Sequence, residues 1–269
     1  MNLAKKSLGQ HWLTDEATLQ SIVDSSGVTK NDTVLEIGPG QGTLTAKLLE
    51  TGANLVAIEL DSKLAANLEK NILHHNPQIA RTVLAKRLMI VEEDILEFDL
   101  ARIVPGYKVV ANIPYYLTSK LLRKLSESTN PPETITLLVQ KEVAERICAG
   151  PGQMSLLAVS VQLYYESKLG QKVAASLFTP PPKVDSQLVM LERRQTPLFE
   201  NLDSPKFFRI VRAGFSERRK KLRSSLSGGL QIPKEQADEL LRRSGINPGA
   251  RAQELSLEQW HNLYSAFEK

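Results

Sequence analysis

Thr33-Val34-Leu35-Glu36-Ile37-Gly38-Pro39-Gly40-Gln41-Gly42 is a short apolar run that passes directly into a glycine-rich turn. The run has the pattern of a buried strand. After the turn, Thr43 to Glu50 sets Leu44, Leu48 and Leu49 on one helical face. Strand, glycine turn and helix form the front of a nucleotide-binding βαβ unit, which predicts an α/β, Rossmann-like sheet. Glycines let backbone N–H groups come close to a ligand. The spacing here is G-x-G-x-G, and Thr43 stands where a dinucleotide fingerprint has its third glycine. The turn alone therefore also fits a tight structural loop.

The next strands sharpen the reading. Asn54-Leu55-Val56-Ala57-Ile58 ends in Glu59, about twenty residues past the first glycine, where an acid can bind ribose hydroxyls. Asp61 close behind fits the cap of a helix containing Leu64 and Leu68. A third strand, Leu88 to Val91, runs into Glu92-Glu93-Asp94, where an acid can accept from an adenine amino group. A fourth, Val109-Val110-Ala111, delivers Asn112-Ile113-Pro114-Tyr115. Three consecutive strands thus end in polar residues at their carboxyl ends, where open α/β sheets bind ligands.

Asn112-Ile113-Pro114-Tyr115 suits chemistry on the exocyclic amino group of a base. An aryl amine is a poor nucleophile because its lone pair is delocalised into the ring. The Asn112 side-chain oxygen and the Ile113 main-chain oxygen can accept its two hydrogens and draw that lone pair out of conjugation. Pro114 fixes φ and stiffens the turn, and Tyr115 offers a ring face on which a base can stack. Alone, the four residues fit better the plainer reading of a strand closed by an Asn-x-Pro turn.

The connection from Asn71 to Lys86, with His74-His75-Asn76-Pro77 and Arg81, reads as an extra loop or helical insertion without assignable chemistry. Thr118 to Leu125 has a helical pattern, Thr134 to Val139 that of a fifth strand, and Gln140 to Ile147 that of a helix carrying Lys141 and Arg146. Val159 to Tyr164 is expected to begin a last strand pair that closes with Val184 to Leu191. Between them lies Phe178-Thr179-Pro180-Pro181-Pro182-Lys183-Val184-Asp185-Ser186, held extended by its prolines. Phe178 reads either as a core plug or as the second slice of a base sandwich with Tyr115.

The 269 residues, 42% of them hydrophobic, suit one large domain with a smaller one. Composition shifts after Arg193-Arg194-Gln195-Thr196-Pro197 to helical segments punctuated by Gly228-Gly229, Pro233 and Pro248. The expected division is residues 1–194, a Rossmann-like domain, and 195–269, a helical domain with a basic face. No apolar run approaches the roughly 18–20 residues that span a bilayer, and the start lacks a signal-type apolar region. With the single Cys148 excluding an internal disulfide, these features lead to the expectation of a cytoplasmic protein. The four histidines show no metal-ligand spacing. Net charge is only +4, but Lys206 to Arg223 holds eight basic residues and one acidic. Such a stripe fits a polyanion partner or a solvated helix face.

In order and spacing the chain resembles the ribosomal RNA adenine dimethyltransferase family, known as KsgA in bacteria. The matching segments are Ser7-Leu8-Gly9-Gln10 with Trp12-Leu13, the turn from Glu36 to Gly42, Ala57-Ile58-Glu59 and Asn112-Ile113-Pro114-Tyr115. Val139 to Ala144, Phe178 to Ser186, and Phe215-Ser216 with Arg218-Arg219-Lys220 and Leu222-Arg223 complete them. The resemblance implies S-adenosylmethionine as cofactor, held by Gly38, Glu59, Asp94 and Asn112, with Gly40 in the turn and His11 and Leu13 from the lead-in. The family usually has Asn where this chain has His11, and a slightly longer loop at Pro151 to Leu156. It further implies a catalytic set of Asn112, Ile113, Pro114, Tyr115 and Phe178. RNA contacts would come from Arg146, Arg218, Arg219, Lys220, Lys221 and Arg223. The implied reaction is dimethylation of N6 on two adjacent adenosines near the 3′ end of 16S rRNA, by a monomer acting on an immature small ribosomal subunit. Two other classes share the fold. One is a resistance-type 23S rRNA adenine methyltransferase, and the other is a non-catalytic RNA-binding assembly factor.

Overall fold

A computed structural model describes residues 10–217 and 219–268. Ser7, Leu8 and Gly9 of the lead-in motif and Arg218 of the basic stripe lie outside the described residues. The chain begins with β1 (Trp12–Leu13), α1 (Glu16–Ser26), β2 (Thr33–Ile37), α2 (Thr43–Glu50) and β3 (Asn54–Glu59). There follow α3 (Ser62–His75), α4 (Arg81–Arg87), β4 (Leu88–Glu92), β5 (Lys108–Asn112), α5 (Thr118–Glu127) and β6 (Thr134–Gln140). Next are α6 (Lys141–Ile147), α7 (Leu156–Gln162), β7 (Tyr165–Val173), β8 (Phe178–Thr179) and β9 (Ser186–Arg193). The remaining helices are α8 (Ser204–Phe215), α9 (Leu222–Leu230), α10 (Lys234–Arg243) and α11 (Leu257–Phe267).

Seven strands form one mixed sheet in the order β4-β3-β2-β5-β6-β9-β7. The first five are parallel, and β9 joins β6 and β7 antiparallel. The chain leaves β2 first for β3 on one side, then returns to β5 on the other. This is the strand-order reversal beside which open α/β sheets bind ligands. The expected cap at Asp61 is present, accepting from Lys63 N at 3.0 Å, and α1 has one the sequence reading did not name, Asp15 accepting from Thr18 N at 2.8 Å. Val34, Leu44, Leu48, Leu55, Leu68 and Val110 bring β2, β3, β5, α2 and α3 into one apolar cluster. A separate two-stranded pair, β1 with β8, joins Leu13 to Phe178 and Trp12 to Thr179.

The chain divides into two compact units. One runs to Glu145 and resumes at Tyr165–Arg193; the other comprises Arg146–Tyr164 and the residues from Arg194 onward. The segment 146–164 therefore groups with the helical unit, unlike the division at 194 expected from composition. Val159 to Tyr164, expected to start a strand, falls instead in α7 and the turn after it, and the strand begins at Tyr165. The local reason is a cap. Ser155 accepts from Ala158 N at 3.1 Å, and Ala158 and Val159 of α7 then join Met154 and Leu163, just outside its ends, in one buried apolar cluster. Helical spacing and a cap outweigh the β preference of two valines.

Gly228-Gly229, expected to punctuate the helical unit, lies inside α9. A Cβ at Gly229 would stand 2.6 Å from Ala213 Cα, so the glycine is there because α8 and α9 touch backbone to backbone. Trp260, Phe207, Leu226 and Leu241 fill the core between these helices, α10 and α11. The insertion from Asn71 to Lys86 resolves into the end of α3, a turn, and α4.

Candidate active site

The strands of the first unit place their carboxyl ends around one cavity. Gly38 and Gly40 follow β2, Glu59 closes β3, Asp94 follows β4 and Asn112 closes β5, and all five line it. Ile113, Pro114 and Tyr115 line it from the turn after β5, and His11 and Leu13 from the chain around β1. Among the described residues of the sequence-derived catalytic and cofactor set, only Phe178 is outside this lining.

The glycine turn is built by three contacts that the spacing alone did not disclose. Gly40 has φ +59°, and a Cβ there would meet Trp12 Cζ3 at 2.5 Å, so the position excludes any side chain. Thr43, at the place of the missing third glycine, donates its hydroxyl to the Leu13 carbonyl at 2.9 Å. The threonine thus fastens β1 over the turn. Gly40 N donates to Glu59 Oε2 at 3.1 Å, and Asp61 N donates to Glu59 Oε1 at 2.9 Å. Glu59 is 6% exposed, and burial holds its carboxyl above the usual range despite those two donors.

Glu36 is the residue that sequence reading quoted but gave no role. It is 2% exposed and lines the cavity. Its Oε2 has no hydrogen-bond partner among the described residues. Burial pushes its carboxyl up to about 8, opposed by the nearby Thr45 hydroxyl and reinforced by the Glu59 charge. The signal available in sequence was an acid inside an otherwise apolar strand, two residues before the first glycine. Tyr116, 60% exposed, also lines the cavity, as does Trp12, which the sequence offered only as part of the lead-in motif.

Asn112 ends β5, and its side chain makes no hydrogen bond among the described residues, leaving it available to a ligand. Tyr115 is anchored at both ends: its hydroxyl lies 2.8 Å from Ser186 Oγ, and its backbone carbonyl accepts from Thr118 Oγ1 at 3.1 Å. Burial raises the Tyr115 phenol above its ordinary range, with the Ser186 hydrogen bond opposing. The ring stacked on Tyr115 is that of His11, at a centroid distance of 5.9 Å and an interplanar angle of 22°. His11 Nδ1 lies 2.7 Å from the Pro180 carbonyl. A carbonyl can only accept, so Nδ1 carries the proton in this contact.

Phe178 makes no ring contact with Tyr115 among the described residues. It is 3% exposed, pairs with Leu13 across β1 and β8, and packs with Leu19, Val110 and Leu138. The structure therefore supports the core-plug alternative over the sandwich, because strand pairing with β1 commits the ring to the apolar cluster.

The described sequence-derived RNA residues lie in the helical unit. Arg219, Lys220 and Lys221 sit in the turn between α8 and α9, and Arg146 in the last turn of α6. Lys220 is ion-paired with Glu217, and Arg223 donates to Asp238 at 3.0 Å. Arg219 and Lys221 are exposed.

A family model described as "Ribosomal RNA adenine dimethylase" matches residues 1–269, the whole chain. The chain belongs to the ribosomal RNA adenine dimethylase family. Such an enzyme uses S-adenosylmethionine as methyl donor, and the cavity fits that cofactor. Its lining carries a buried Glu36 oxygen without a hydrogen-bond partner among the described residues, and Glu59 at a strand end, where an acid can accept from ribose hydroxyls. Among its relatives is "Ribosomal RNA small subunit methyltransferase A" of Dehalococcoides mccartyi strain CBDB1. The two are 41% identical over 260 residues, 97% of this chain and 87% of the relative. A dimethyladenosine transferase from Plasmodium falciparum superposes with a TM-score of 0.77 at 25% identity, over 96% of this chain and 98% of that one. The 23S rRNA methyltransferase ErmE superposes at 0.72 and 27% identity, over 96% and 100%. No helix among the described residues is long and apolar enough to cross a membrane.

Proposed function

We propose that the chain dimethylates N6 of two adjacent adenosines near the 3′ end of 16S rRNA, acting as a cytoplasmic monomer on an immature small ribosomal subunit. One observation carries this reading. The uncommitted Asn112 side chain, the anchored Tyr115 and the glycine turn tied to Glu59 share a single cavity.

S-adenosylmethionine, when bound, supplies an already electrophilic methyl group, so the chain's own task is positioning. Gly38, Gly40, Glu59, Asp94, His11 and Leu13 are the residues that would hold it. The target adenine must leave its stack, and Tyr115 presents an oriented ring to receive it. The Asn112 oxygen and the Ile113 carbonyl accept the two amine hydrogens and turn the nitrogen lone pair toward the methyl group. No strong general base is needed, because the aminium proton formed on the product is acidic enough to leave to water. Arg146, Arg218, Arg219, Lys220, Lys221 and Arg223 would contact the RNA backbone.

The small-subunit assignment is favoured over a 23S substrate by kinship: 41% identity to a named small-subunit methyltransferase against 27% to ErmE. The test is incubation with labelled S-adenosylmethionine and unmethylated small subunits, followed by mapping of the modified nucleotides. Label on two adjacent adenosines of 16S rRNA is expected. Label confined to 23S rRNA in whole ribosomes, or none at all, would reject the assignment. Asn112→Ala should lose transfer by a factor corresponding to roughly 3–4 kcal/mol of barrier while remaining folded.

A further inference from the structure

The segment from Ser62 to Arg87, α3 through α4, carries Lys63, Lys70, Arg81, Lys86 and Arg87 against the single acid Glu69, a net of 5 − 1 = +4. That equals the net charge of the whole chain, +4. None of the proposed site residues lies in it.

The fold brings part of this charge together with a cation from elsewhere. Lys30 precedes β2, Gly52 precedes β3 and Arg87 precedes β4. Because these three strands are parallel neighbours, the three positions meet at the amino ends of the strands. A Cβ on Gly52 would stand 3.1 Å from Lys30 Cβ and 3.2 Å from Arg87 Nη1. Arg81 and Lys86 are exposed on the adjoining α4, which is held down by buried Leu84.

The nearby acids are already engaged. Asp32 accepts from Lys108 at 3.1 Å and from Thr29 N at 2.6 Å, and Glu50 accepts from Asn76 at 2.7 Å and pairs with Lys47. Lys30, Arg81, Lys86 and Arg87 form no ion pair among the described residues. A solvated helix face accounts for single exposed lysines. It does not account for Lys30 and Arg87, from different elements, both bordering one glycine while Asp32 and Glu50 face other partners. A group of cations without carboxylate partners attracts a polyanion.

We propose that Lys30, Arg81, Lys86 and Arg87 form a second RNA-backbone site, at the end of the sheet opposite the cofactor cavity. The amino and carboxyl ends of a five-residue strand are roughly 17 Å apart. The site would therefore grip phosphates well away from the adenosine being modified. Its role is to dock a structured RNA; a short oligonucleotide holding only the target would not reach it. The inference rests on the reading that the substrate is rRNA.

The experiment compares wild type, the double variant Arg81→Gln/Lys86→Gln and a quadruple variant that adds Lys30→Gln and Arg87→Gln. Affinity for unmethylated small subunits is measured across a salt series. Each lost phosphate contact lowers the log–log slope by roughly 0.7–0.9, so reductions of about 1.5 and about 3 are expected. Cofactor affinity and methyl transfer to a short RNA bearing the target should not change. The double variant touches only exposed side chains and keeps the test valid if the quadruple variant folds poorly. An unchanged slope in a folded double variant overturns the proposal. A wild-type protein that neither binds nor methylates small subunits would instead reject the functional reading beneath it.

Discussion

Gly40 and Glu59 are joined by a hydrogen bond, the Gly40 N–H donating to Glu59 Oε2 at 3.1 Å across 19 residues of sequence. The acid expected to receive ribose hydroxyls is thereby also the brace of the glycine turn. Glu59→Ala should weaken S-adenosylmethionine binding through both roles, the lost ligand contact and a buried donor left unpaired, the latter costing about 1–3 kcal/mol. Glu59→Gln, which retains one acceptor oxygen, should fall between alanine and wild type. Calorimetric titration of the cofactor into the three proteins checks the ordering. Equal affinities would show that the carboxylate is only a strand terminus.

Phe178→Ala should unfold more readily and methylate nearly normally at low temperature. Its ring is 3% exposed in the cluster containing Leu13 and Leu19, and removing a buried Phe costs roughly 3–5 kcal/mol. Melting temperature and single-turnover rate on the same variant separate this from base stacking. A rate loss of about tenfold to a hundredfold with unchanged melting would restore the sandwich.

Stability should decline from mildly acidic to mildly alkaline pH because of Glu36. In the unfolded chain a glutamate ionises near ~4.3, whereas in the fold burial pushes Glu36 up to about 8. The folded state therefore binds the proton more tightly. Its advantage is complete below the unfolded value and is lost as pH rises through about 8. Glu36→Gln, which cannot ionise, should flatten this slope and melt higher than wild type at pH 8 to 9. Melting curves from about pH 5 to 9 read it directly; parallel profiles for the two proteins would show that Glu36 is ionised throughout.

Neutralising Arg219 and Lys221, both exposed in the turn between α8 and α9, should lower the salt slope of RNA binding by up to roughly 1.4–1.8. Neutralising Arg223, already donating to Asp238 at 3.0 Å, should lower it less and cost stability instead. A fluorescence-anisotropy salt series with each variant distinguishes the two. Equal slopes for all would make the turn a solvated face.

Most of the cavity was legible because its residues sit at strand ends, and alternation, glycine spacing and terminal acids are local signals. The Asn112 turn, Glu59 and Asp94 were found that way. What escaped depended on chain segments far apart in sequence. Trp12 covers Gly40 and Thr43 reaches the Leu13 carbonyl, and no local pattern announces either contact. Glu36 was hidden because an acid in a strand has no periodic signature, and only its burial in the fold shows that its carboxyl is pushed up. Val159 to Tyr164 misled because β-branched residues suggest a strand, whereas the decisive signal was the Ser155 cap one turn earlier. Gly228-Gly229 misled because glycine usually breaks helices, while here a neighbouring backbone demands it.

The helical unit's dependence on residues 146–164 bears on the order of synthesis. Helix α7 leaves the ribosome well before α8 to α11, yet Met154, Ala158, Val159 and Leu163 share their apolar cluster with residues of those later helices. The nascent chain must complete β7 and β9 of the first unit while an apolar segment of the second waits uncovered. A fragment beginning at residue 195 would lack that segment permanently. The natural piece for isolating the helical unit therefore has to be a spliced one, with 146–164 tethered back to the residues it packs with.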